Sequence, residues 1–130
     1  READMSQIFA ETDILSLHIP LTDETRGMVN AAYLSQFKKK IVLLNTARGE
    51  IIPLSDLAES FSMGFIRGAA LDVLENEKLN DLTSQQREGF RNLVASGHVI
   101  FTPHIAGWTF ESHLKINVAL VDKIRMLGLS

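Results

Sequence analysis

Four residues of this 130-residue chain carry groups suited to proton or anion chemistry and stand at, or just beyond, the ends of apolar runs: Arg48, Asp72, Glu77 and His104. His104 follows Pro103 at the exit of the run VIF and precedes Ile105-Ala106-Gly107. An imidazole held at such an exit can donate or accept a proton near neutrality. Glu75 and Glu77 lie in the acidic loop Leu74-Glu75-Asn76-Glu77-Lys78, and either could reach across to the His104 exit. A carboxylate against an imidazole favours the charged ring and makes it a readier acid. Arg48 stands in a turn ending at Gly49, and its planar fork suits paired hydrogen bonds to a substrate carboxylate. The four histidines, His18, His98, His104 and His113, include no His-x-x-x-His pair. No metal site is expected.

These side chains need a frame that brings them together. Four short β-branched runs, Ile14 to Ile19, Ile41 to Leu44, Gly68 to Val73 and Val99 to Phe101, read as strands, and each is apolar nearly throughout. That pattern belongs to strands covered by helices on both faces. Helices fill the gaps: Asn30 caps one through about Phe37, Pro53 in a first turn opens another through Met63 with Gly64 just past its end, and a third lies within Ser84 to Ala95. The last, Glu111 to Leu127, places Leu114, Val118, Val121 and Met126 near one face and is expected to be well buried. Strands alternating with helices predict βαβ units, a parallel sheet and a ligand crevice at the carboxyl ends of the strands. Those ends are His18 with Pro20, Asn45 to Gly49, Asp72, and Thr102 to His104. One polar strand end is an ordinary solvent boundary, and one charged loop an ordinary surface. Four on one edge point to a shared site.

Composition narrows the function classes. With 45% hydrophobic and 22% charged residues the chain reads as one globular α/β domain. It holds no Cys, which removes disulfides, thiolate metal sites and cysteine nucleophiles. A net charge of -3 and no basic run longer than Lys38-Lys39-Lys40 argue against nucleic acid as a partner. No apolar stretch approaches a membrane span, and the charged start READMSQIFAETD does not resemble a secretory leader. A cytoplasmic location without membrane partners is the expectation.

Four blocks, LHIPLTDETRG, LLNTARGEII, GAALDVLENE and FTPHIAGWTFES, together resemble the D-isomer-specific 2-hydroxyacid dehydrogenases, the family that includes D-3-phosphoglycerate dehydrogenase. The likeness runs over nearly the whole chain, in the family's order and at its approximate spacing. It implies a Rossmann-like doubly wound parallel sheet, here the C-terminal half with about four strands, and NAD as cofactor, NADP remaining open. It implies that Arg48 orients the substrate carboxylate and carbonyl, that His104 protonates the carbonyl oxygen of a 2-oxo acid, and that Glu77 is its carboxylate partner. Asp72 would bind the nicotinamide carboxamide. His18, Thr25, the backbone of Thr46-Ala47 and that of Ala106-Gly107, with Arg48 and His104, would line the cofactor side. One departure stands out: the family usually has Pro after the catalytic Glu, and this chain has Lys78.

The dinucleotide signature G-x-G-x-x-G is missing, since no two of the eight glycines have G-x-G spacing. On the family's pattern residues 1–130 are therefore expected to be the later part of a cofactor domain with its terminal helix. Alone, the piece is expected to be inactive and to self-associate, and the complete enzyme to be a homo-oligomer, most simply a dimer. The alternative is a non-enzymatic NAD-sensing module of the same fold, resembling transcriptional corepressors.

Overall fold

The computed structural model describes residues 2–128, so Arg1, Leu129 and Ser130 of the expected 1–130 domain lie outside the description. Nine main elements follow in order: α1 (Met5–Glu11), β1 (Ile14–Leu17), α2 (Ala31–Leu34), β2 (Ile41–Asn45), α3 (Leu54–Ser62), β3 (Ile66–Leu71), α4 (Ser84–Ser96), β4 (Val99–Phe101) and α5 (Phe110–Met126). The sheet is parallel throughout, in the order β1-β2-β3-β4. Each strand begins and ends within two residues of its expected bounds. The register aligns Leu17 with Asn45, and Asn45 with Leu71, which in turn pairs with Phe101. All four strands thus stop on one line, and the segments that follow them share one edge.

Alternation within the strands shows which face is covered. Ile41, Leu43, Ala69 and Leu71 point into a core shared with Leu34, Leu54, Leu57 and Leu93 from α2, α3 and α4. Their neighbours Val42, Leu44, Gly68 and Ala70 are half-buried, while Ile14 and Ile100 are exposed. Coverage of both faces, expected from the apolar runs, is therefore realised on one face only among the described residues. Gly89 permits the α3–α4 contact, because a Cβ there would come within 2.8 Å of the Leu54 carbonyl oxygen.

Four helices differ from expectation. Helix α2 ends at Leu34 and not at about Phe37. Helix α1 was not anticipated; Asp4 caps it by accepting from the Gln7 amide, and Phe9 stacks edge-on against Tyr33 and Phe37. Pro53 occupies the cap position of α3 instead of its first turn. Helix α5 forms where expected but is not buried: none of its residues is buried, and Leu114, Ile116, Val118, Leu120 and Val121 are exposed. Its apolar residues spread around more than one side, and no described element packs on them. No helix among the described residues is long and apolar enough to cross a membrane.

Candidate active site

Arg48 leaves β2 on a turn built by a buried amide. Asn45, 1% exposed, accepts from the Ala47 amide at 3.0 Å and donates to the Arg48 carbonyl at 3.0 Å. Gly49 follows because nothing larger fits: a Cβ would fall 1.9 Å from the carbonyl carbon and oxygen of Leu74. The β2 turn is thereby pressed against the loop that follows β3. The Arg48 side chain is exposed and, among the described residues, hydrogen-bonded only to its own neighbour's carbonyl, at Ala47, leaving the rest of its fork available.

That second loop carries both glutamates, and the structure separates them. Glu75 turns inward and accepts the Leu54 amide at 2.9 Å, satisfying an otherwise unpaired donor at the start of α3. Glu77 turns the other way, and its Oε1 lies 2.9 Å from Nδ1 of His104. At Lys78, where the resemblance leads one to expect Pro, the amide donates to Asn76 Oδ1 at 3.0 Å, and Asn76 Nδ2 bonds the Asp81 carbonyl. An Asx turn fixes the loop in place of a proline ring.

His104 itself has φ +55°, the only non-glycine residue with positive φ among those described. Such a conformation costs a side-chain-bearing residue roughly 1–2 kcal/mol, so its surroundings must enforce it. Asp72 does so. Its carbonyl accepts the His104 amide at 2.9 Å, while Oδ1 accepts the Thr102 hydroxyl and the Ile105 amide, and Oδ2 the Ala106 amide. Burial pushes the Asp72 carboxyl up, but these three hydrogen bonds and the nearby His104 charge together hold it below the usual carboxylate value. Glu77 on Nδ1 leaves Nε2 of His104 without a protein partner among the described residues.

The expected cofactor-side residues line two cavities in part and otherwise build the loops beside them. His18, Thr46, Ala47 and Arg48 line a single cavity of about 480 Å³ together with Pro20. Arg48, Glu77 and His104 share an adjoining one of about 460 Å³. Thr25 stands apart from both, its hydroxyl bonding the Pro20 carbonyl and accepting the Thr22 amide, so that it shapes the loop after β1. The Ala106 amide is committed to Asp72, and the Gly107 carbonyl to the Ser112 hydroxyl. Asn45 and Thr102 stood among the expected strand ends but had no role assigned; their hydrogen bonds show that Asn45 holds the Arg48 turn and Thr102 bonds Asp72. Among the described residues no group of His, Asp or Glu could hold a metal ion.

A parallel sheet with an arginine and a Glu–His pair along its carboxyl edge defines an α/β domain equipped to hold a carboxylate and move a proton. Residues 1–106 match the family model described as "D-isomer specific 2-hydroxyacid dehydrogenase, NAD binding domain", and the chain belongs to that family. It is 36% identical over 121 residues to a hydroxypyruvate reductase of Thermotoga maritima, covering 93% of this chain and 38% of that protein. It is 38% identical over 128 residues to a D-3-phosphoglycerate dehydrogenase of Synechocystis, covering 97% of this chain and 22% of that one. A D-lactate dehydrogenase from Aquifex aeolicus, solved with NAD and lactic acid, superposes with a TM-score of 0.78 at 30% identity over 98% of this chain and 41% of its own. The chain thus spans well under half the length of these relatives. Its fold is Rossmann-like, and its family's cofactor is NAD.

Proposed function

We propose that this chain supplies the substrate-carboxylate and proton-transfer side of an NAD-dependent dehydrogenase interconverting a 2-oxo acid and its D-2-hydroxy acid. The observation that carries this reading is the 2.9 Å contact between Glu77 and His104 at the same sheet edge as Arg48. The cavity lined by His18, Thr46, Ala47 and Arg48 opens beside that pair and suits the nicotinamide end of the cofactor. A pyrophosphate turn of the G-x-G-x-x-G type is not present in the 130 residues. When bound, NADH supplies the hydride to the carbonyl carbon.

The residues of this chain do the rest. Arg48 pairs with the substrate carboxylate and so fixes the carbonyl carbon in place. His104, protonated and held at Nδ1 by Glu77, gives its Nε2 proton to the carbonyl oxygen as negative charge develops there. Glu77 aims the ring and balances its charge. In the oxidative direction the neutral ring takes the hydroxyl proton back. Arg48→Ala in the intact protein is expected to raise KM for the 2-oxo acid and lower kcat, since the carboxylate is held in both ground and transition states. Steady-state kinetics check this, and unchanged values for both constants would remove Arg48 from the site.

A further inference from the structure

Three polar or charged residues are buried among those described: Asn45, Ser60 and Asp72. Ser60 bonds a carbonyl of its own helix, at Asp56. The other two sit where β2 and β3 end, and Asp72 reaches across to the neighbouring strand exit. We propose that Thr102 and Asp72 form a clamp that positions His104, a role that rests on the reading of His104 as the proton donor.

The hydrogen bonds surround the histidine on both sides. Thr102, two residues before it, and Ile105 and Ala106, directly after it, all donate to the one Asp72 carboxylate, and the His104 amide donates to the Asp72 carbonyl. The segment is thereby pinned in a left-handed turn that a histidine does not otherwise favour. In that turn Nδ1 meets a carboxylate from a different loop, Glu77, at 2.9 Å. Thr102 lies beyond the end of β4 and its side chain is not needed to close the core. Its hydroxyl makes a hydrogen bond to Asp72, which gives it a task at this position that Val or Ala could not perform. The Asp72 amide also donates to the Asn45 carbonyl at 2.9 Å, and Asn45 holds the Arg48 turn. One line of hydrogen bonds therefore spans three strand exits and sets the separation of the arginine from the histidine.

The test replaces Thr102 in the intact protein and reads two quantities. The first is the ring nitrogen shifts of His104 by NMR, assigned from the signal lost in His104→Ala. The second is turnover of pyruvate, glyoxylate and hydroxypyruvate with NADH. Thr102→Val should move the His104 ring signals, leave those of His98 and His113 in place, and lower kcat about 10- to 10²-fold with little change in KM. Thr102→Ala, which removes the hydroxyl without adding a methyl group, should do the same, and Thr102→Ser should restore both readouts. Wild-type ring signals and wild-type kcat in Thr102→Val, or equal losses in Thr102→Ser, would overturn the clamp. Ring signals that move while kcat stays at wild type in both Thr102→Val and His104→Ala would support the clamp and overturn the assignment of His104 as proton donor.

Discussion

Asp72 does its work as an anion, and that gives it a pH signature. Its folded-state pKa lies below the ordinary 3.8 because hydrogen bonds from Thr102, Ala106 and Ile105, aided by the His104 charge, outweigh the burial that pushes it up. A group whose pKa falls on folding stabilises the native state fully above its unfolded value and loses that contribution as pH drops through the lower, folded one. The amide shifts of Ile105 and Ala106 should therefore titrate together below pH 3.8, and Asp72→Asn should abolish the step. A step above that value would contradict the arrangement. The positions of Arg48 and His104 at strand exits were legible from the sequence because each follows an apolar run. Glu75 and Glu77 were not separable by such reasoning, since both occupy one acidic loop; the unpaired Leu54 amide, which takes Glu75, comes from another element. Thr102 was visible as a strand end, but its bond to Asp72 was not, because that partner lies 30 residues away.

At the scale of elements, Gly49 links two of them. The approach of the β2 turn to Leu74 leaves no room for a methyl group, so Gly49→Ala must drive apart the loops carrying Arg48 and Glu77. It is expected to cost about 1–3 kcal/mol of stability, measured by denaturant unfolding, and to lower turnover as well. A variant with wild-type midpoint and turnover would show that the loops yield freely. The four strands were readable because short, nearly unbroken apolar runs mark them, α4 because its pattern is periodic, and Asn30 caps α2 as expected, accepting the Tyr33 amide on its side chain. The helix after Asn30 is shorter than its pattern, ending at Leu34. Helix α1 was missed because seven residues give too little periodicity to stand out. The burial of α5 was misjudged for a different reason: an amphipathic pattern reports that a face wants cover and says nothing about what covers it.

At the scale of the whole molecule, apolar surface remains open on the sheet and along α5. Ile14 on the outer strand is 59% exposed, and Trp108 and Phe110 ahead of and in α5 are 73% and 82% exposed. Uncovered edge strands and exposed apolar side chains recruit further chains. The 130-residue chain should therefore sediment above its 14.5 kDa monomer mass, increasingly with concentration, and a monodisperse monomer would argue against this. The proposed function turns on proton transfer by His104. The most direct measurement is the rate of NADH oxidation by the intact protein on 2-oxo acids, with His104→Ala compared against wild type. Wild-type protein should reduce at least one such acid to the D-hydroxy product, and His104→Ala should lower kcat by about 10²–10⁴-fold, the usual contribution of a positioned general acid. Equal kcat in the two proteins, or no reduction of any 2-oxo acid by the wild type, would contradict the account.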